Sequence, residues 1–142
     1  MRIQSILETK GGRVEAIDRR VRVEDAVRTL ADLGIGSLVV RDGAVVAGIV
    51  DERDIMYGLA KHGRAAFDLP VSELMRREPV TCTPDQKVRE VMGLMTARRV
   101  RHVLVIGPLG PCGIVSIGDL VKHRLEEAEL EVSVLRDYAR AR

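Results

Sequence analysis

Apolar residues recur along this chain with two alternating periods, helical and strand-like, and glycine, proline or a polar turn closes each stretch. Ile3, Ile6 and Leu7 have helical spacing and predict a short amphipathic helix over residues 2 to 9, ended by Gly11 and Gly12. Val14 to Ile17 reads as a short strand. Val23, Ala26, Val27, Leu30 and Leu33 follow at i, i+3, i+4, i+7 and i+10, an amphipathic helix that Gly34 can end in the left-handed conformation. Ser37 to Val40 and Val45 to Val50 are β-rich runs joined across Arg41-Asp42-Gly43, a hairpin signal, and a second helix is expected from Asp51 to Ala60.

Residues 61 to 78 interrupt the pattern, with Ser72 placed to open a short helix after the Leu69-Pro70 break. From Pro79 the order begins again: a strand at Val80 to Cys82, a helix from Asp85 to Ala97, a strand at Val103 to Ile106, a Gly-Pro turn, a strand at Gly113 to Ser116, and a helix from Ile117. One offset of 65 residues holds throughout without a gap, pairing Val23 with Val88, Asp25 with Glu90, Val40 with Val105, Ile49 with Ile114 and Asp54 with Asp119. Chance rarely keeps register across a whole supersecondary unit. The chain is therefore read as α/β, or α+β in strict layering: two tandem β-α-β-β-α repeats at 14–62 and 79–126, with a leader at 1–13, a connector at 63–78 and a C-terminal amphipathic helix at 127–142. In the last helix, Val121, Leu125, Ala128, Val132, Leu135 and Ala139 are spaced 4, 3, 4, 3, 4, a heptad seam. It can pack on its own domain or pair with a second copy, which would make the protein a homodimer.

Composition narrows the functions. Hydrophobic residues make up 46% of the chain, yet the only aromatics are Tyr57, Phe67 and Tyr138, so the core is aliphatic and base-stacking platforms are not expected. Lys and Arg number 23 against 21 acidic residues, too balanced to argue for a nucleic-acid or membrane surface. Cys82 and Cys112 lack metal or redox spacing, and no apolar run reaches a signal peptide or the ~18 residues of a membrane span. A soluble cytoplasmic protein with reduced thiols is the expectation. His62, His102 and His123 have no metal spacing, no nucleophile elbow is visible, and the glycines around Gly34 and Gly36 do not complete a dinucleotide fingerprint. The reading is of a protein that is not an enzyme and needs no metal.

Candidate chemistry lies in the repeated turn, GIVDERD at Gly48 to Asp54 and GIVSIGD at Gly113 to Asp119. A strand running into a helix start leaves backbone N–H groups free to attract an anion such as phosphate. Ser116 can donate to a phosphate oxygen, Asp119 can accept both hydroxyls of a ribose, and Gly113 can let a ligand approach the backbone. The competing reading is local: Ser-x-x-Asp before an apolar helix is also a capping box.

The two repeats resemble a pair of cystathionine-β-synthase (CBS) domains, the Bateman module, over residues 14 to 126. The resemblance is carried by the Gly-hydrophobic-hydrophobic-Ser/Thr-x-x-Asp signature at Gly113, Ser116 and Asp119, by GIVDERDI and RVRHVLV, and by the repeat order. It implies two repeats packed through their sheets with pseudo-two-fold symmetry, clefts that take AMP, ADP, ATP, NAD(H) or S-adenosylmethionine, and regulation of another, unidentified protein as an energy or redox sensor. Carried over by position, Asp119 and Asp54 would hold ribose, Ser116 would face phosphate, Arg101 and His102 would contact phosphates, and adenine would meet backbone and apolar groups near Thr81 and Val103. The first repeat, with Gly48, Asp51, Arg53 and Asp54, departs from the signature. Asp51 replaces the Ser/Thr, and a carboxylate about 5 Å from a phosphate would cost roughly 3 kcal/mol per charge pair at an effective dielectric of 20. Arg53 can offset part of that, and Gly36 and Ser37 stand where the second repeat has Arg101 and His102. Two other classes stay open: a structural adaptor acting through the C-terminal helix, and a nucleic-acid binder using Arg98 to His102.

Overall fold

The computed structural model describes residues 1–11 and 14–141; Gly12, expected to help end the first helix, and the residue-13 boundary of the leader lie outside the described residues. In chain order the elements are α1 (Ile3–Lys10), β1 (Ala16–Asp18), α2 (Val23–Leu33), β2 (Ser37–Asp42), β3 (Val45–Asp51), α3 (Glu52–His62), two 3-10 turns (Gly63–Asp68 and Val71–Glu73), β4 (Thr81–Cys82), α4 (Val88–Arg98), β5 (His102–Gly107), β6 (Gly110–Ser116) and α5 (Ile117–Arg140). The fold is α/β with two repeated β-α-β-β-α units, each carrying a three-stranded mixed sheet. The two sheets are ordered β1-β2-β3 and β4-β5-β6, the first pair of strands parallel and the second antiparallel in each.

The offset of 65 survives to single residues. The antiparallel register shifts between Val40 and Arg41 in one sheet and between Val105 and Ile106 in the other. Val40 pairs with Gly48, and Val105 pairs with Gly113. Helix α2 ends at Gly34 in the left-handed conformation, and α4 ends the same way at Arg99, with φ of 63° and 55°.

The chain divides into two compact units, Arg13–Pro79 and Met1–Gly12 with Val80–Arg142. The first has a core of Val23, Ala26, Leu30, Leu38, Val40, Val50, Ile55 and Val71. The second has Ile3, Ile6, Cys82, Val88, Val91, Met95, Val103, Val105, Val115 and Leu120. Helix α1 thus completes a unit whose other elements begin about seventy residues later in the chain, which hydrophobic periodicity alone does not show.

Local chemistry explains how α1 is held. Its first N–H groups, which no helix can satisfy internally, donate to chain carbonyls: Ile3 to Gln86 at 2.9 Å and Gln4 to Pro84 at 2.9 Å, while Val88 donates back to Met1 at 2.9 Å. Segment 84–87 is spent on this pairing and on a turn in which the Thr83 N–H donates to Gln86, so α4 starts at Val88 and not at Asp85. The connector does the same for the first unit. Val23 N–H donates to Leu69 and Val71 N–H to Val21, and the Val71 side chain is fully buried. Ser72 falls in a 3-10 turn there.

Helix α5 runs from Ile117 to Arg140 as the heptad spacing predicts, but only Leu120 on it is buried, and every described residue from Ala128 onward is exposed. No helix among the described residues is long and apolar enough to cross a membrane.

Candidate functional site

Both repeated turns fold into complete capping boxes. At the start of α5 the Ser116 N–H donates to Asp119 Oδ2 at 2.8 Å and the Asp119 N–H donates to Ser116 Oγ at 3.1 Å. At the start of α3 the Asp51 N–H donates to Asp54 Oδ2 at 2.9 Å and the Asp54 N–H donates to Asp51 Oδ1 at 3.0 Å. Strand β6 ending in extended backbone aims these groups at the first turn of α5, as β3 does for α3. The residue before each hairpin strand completes the end: Ile117 N–H donates to Arg101 O at 2.8 Å, and Glu52 N–H to Gly36 O at 3.2 Å.

A cation from a preceding segment closes each turn. Lys10 Nζ, at the end of α1, donates to Asp119 Oδ2 at 2.7 Å and to Ile114 O at 2.9 Å. Arg76 donates through Nε to Asp54 Oδ2 at 3.3 Å and through a terminal nitrogen to Asp51 Oδ2 at 3.0 Å. The two latches differ in depth. Lys10 and Asp119 are 43% and 27% exposed, whereas Asp51 and Asp54 are 5% and 12% exposed beneath Arg76. Arg76 is also tied by backbone, donating to and accepting from Ile49 at 2.8 and 3.0 Å.

The signature glycines leave room for these segments. A Cβ on Gly48 would overlap the Arg76 carbonyl, and one on Gly113 would come within 2.5 Å of the Leu7 side chain. The space at both is therefore taken by the protein itself.

Electrostatics separates the two carboxylates. Burial pushes the Asp54 carboxyl up to about 6; the Asp51 N–H lowers it, the neighbouring Asp51 charge raises it further, and Arg76 offsets only part. Burial also pushes Asp119 upward, but the bonds from Lys10 and Ser116 outweigh it and leave this carboxyl below its ordinary value. Asp119 is the more exposed of the two and the one whose ionised form is favoured. It borders a cavity of about 180 Å³ shared with Ile6, Thr9, Lys10, Lys122, His123 and Glu126.

The other predicted residues are placed as follows. His102 lies opposite Ser116 in the β5–β6 register, half-buried. Arg101 is exposed and contributes its carbonyl. Thr81, exposed, opens β4 opposite Leu104. Val103 is fully buried in the aliphatic core, so only its backbone can face another group. Arg53 donates to the Tyr57 hydroxyl at 3.0 Å and lies over that ring, one turn along α3, while its charge is also attracted by Asp51 and Asp54, and Arg76 adds an ion pair to Asp51 at 3.0 Å. Lys10 and Arg76 are the site residues that sequence reasoning missed. Both lie a few residues ahead of a repeat's first strand, but the 65-residue offset carries Lys10 to Met75, one short of Arg76. Among the described residues, no group of three His, Cys, Asp or Glu side chains could hold a metal ion.

Comparison with known proteins gives these features a context. The model of the CBS domain matches residues 13–61 and 71–126. The mitochondrial CBS domain-containing protein CBSX3 of Arabidopsis thaliana is 37% identical over 121 residues, which cover 82% of this chain but 59% of that protein. Among solved structures, a CBS-domain containing protein from Agrobacterium tumefaciens is 36% identical with a TM-score of 0.84, over 87% of this chain and 92% of the other. The structure of CBSX2 in complex with AMP shares the fold at 21% identity, with a TM-score of 0.67 over 81% of this chain and 90% of that one.

Proposed function

The chain belongs to the CBS domain family, and on that premise we propose that it is a regulatory module whose second repeat takes an adenosine-containing ligand, AMP, ADP, ATP or NAD(H), at the Asp119 turn. The observation that carries this reading is the Lys10–Asp119 pair. An ionised carboxylate at a helix start, held by one partly exposed lysine, is a site where a ribose can replace the lysine as donor. Ser116 and the first N–H groups of α5 then face the phosphate, and Arg101 and His102 supply the basic side. AMP in the CBSX2 structure supports the ligand class. Lys10 Nζ sits on the Asp119 oxygen that a ribose would take, at 2.7 Å, so binding displaces the Lys10 ammonium. That displacement is the signal: differential affinity for the latched and released forms biases a partner protein.

The first repeat takes a structural role in this reading. Asp51 and Asp54 are buried and shared by Arg76, whose backbone is fixed to Ile49, so the ribose position is closed. An adaptor with no ligand is the second reading, favoured by the completeness of both capping boxes without one.

Isothermal titration with AMP, ATP, NAD and NADH separates them. Asp119→Asn keeps an oxygen for the cap while removing the charge, and it should weaken binding at least about tenfold. Lys10→Met should tighten it about threefold or more, since the competing ion pair is gone. Heat release that is the same for wild type and Asp119→Asn, or absent with all four ligands, gives the adaptor first place.

A further inference from the structure

The exposed half of α5 carries a pattern that its own unit does not use. Val121, Leu125, Val132 and Leu135 are 41%, 59%, 47% and 67% exposed, and with Ala128 and Ala139 they form one stripe along the helix. A shallow groove follows it, its lining including Leu125, Ala128, Val132, Glu129 and Arg136. Spacing of 4 and 3 is the period at which two helices wind around each other.

We infer that this stripe is the seam of a parallel, in-register coiled coil between two copies of the chain. The inference does not depend on the ligand reading. Leu125, Val132 and Ala139 occupy the first apolar position of the heptad, and Val121, Ala128 and Leu135 the second. Val at the first position followed by Leu at the second, as at Val132 and Leu135, favours two strands. Leu130 and Val134 lie off the seam, on the outer face.

Charge and use of the whole stripe together select the orientation. Antiparallel registers shifted by one heptad also pair opposite charges, Arg124 with Glu131 and Lys122 with Glu129 or else Glu129 with Arg136, but they leave Ala139 or Val121 without an apolar partner. Arg124, Glu131 and Tyr138 flank the first position, and Lys122, Glu129 and Arg136 flank the second. In a parallel pair each residue of the former set faces the residue five further along the other helix. Arg124 then meets Glu129 of the second copy, and Glu131 meets Arg136, each contact made twice by symmetry. The antiparallel arrangement that seats Ala128 against Val132 sets Glu129 against Glu129, Glu131 against Glu131 and Lys122 against Arg136, all like charges. Within one helix, residues five apart do not face each other; Arg124 has Glu127 at 3.0 Å as its partner in its own helix.

The test uses the full chain, with size-exclusion chromatography and light scattering, and exposed positions whose substitution leaves the fold intact by circular dichroism. Wild type should self-associate in dimers. Glu129→Lys, which sets it against Arg124 twice, should weaken association about tenfold, and Arg124→Glu added to Glu129→Lys should restore it. Under mild oxidation an Ala139→Cys chain should form a disulfide-linked dimer that wild type, with its half-buried Cys112, does not. A monomer at the highest soluble concentration, association indifferent to Glu129→Lys, a double variant weaker than the single one, or no cross-link through position 139 each overturns the proposal. The double-variant result also marks the shifted antiparallel register, in which Arg124 would face Glu131.

Discussion

Gly48 and Gly113 occupy the same signature position, yet what they make room for differs in stiffness. At Gly48 the obstacle is the backbone carbonyl of Arg76, which is hydrogen-bonded to Ile49 and cannot withdraw. At Gly113 it is the end of a leucine side chain, which can turn aside. Gly48→Ala should therefore destabilise the protein by about 2 kcal/mol or more, and Gly113→Ala by less. Thermal melts of the two variants check the order, and adding Leu7→Ala should relieve only the second. Arg99 offers the opposite case. It ends α4 in the left-handed conformation that glycine provides at Gly34, where a side chain costs about 1 kcal/mol. Arg99→Gly should raise stability by about 0.5 kcal/mol or more, read as a higher urea midpoint. Asp119, Ser116 and their repeat partners were legible as a turn, because their spacing is local. Lys10 and Arg76 were not, because an ion pair spanning more than a hundred residues leaves no mark in a periodicity and the repeat offset slips there by one.

Helix α1 was legible as an amphipathic helix but not as part of the second repeat's core. Ile3 and Ile6 are 0% and 4% exposed among Val88, Val91 and Leu120. Truncating Ile6 to Ala should cost about 2–4 kcal/mol, far more than expected of a surface leader, and calorimetry reads this directly. The β-α-β-β-α order was legible throughout, since alternation, helical spacing and glycine stops agree in both copies. Boundaries moved where backbone pairing overrode them, as at Val88, whose N–H is held by Met1. The heptad in α5 gave the length of that helix. Whether it packs at home depended on what its apolar stripe touches, which a single sequence does not state.

At the scale of the molecule the two repeats respond to pH with opposite sign. The folded state raises the Asp54 carboxyl to about 6, so it binds that proton more tightly than the unfolded chain, and this group's contribution to stability falls as pH rises between about 4 and 6. Asp119 is held below its ordinary value, so its contribution is present above that value and is lost as pH falls through the folded one. Asp54→Asn should flatten the loss in the first unit on going from pH 4 toward about 6, and Asp119→Asn should flatten the acid loss in the second. Hydrogen exchange resolved by unit separates the two. Cys82, buried and pushed up to about 12, should resist thiol reagents until its unit opens.

The discontinuity of the second unit also reaches into how the protein is made. The residues of α1 leave the ribosome before those of both repeats, and the strands that cover Ile3 and Ile6 end at Ser116, so on the order of ten seconds of translation separates them at ordinary elongation rates. The core residues of the first unit, Val23 to Val71, all emerge within that interval. The nascent α1 has no such partners yet, so its apolar face stays uncovered until β6 and the start of α5 emerge.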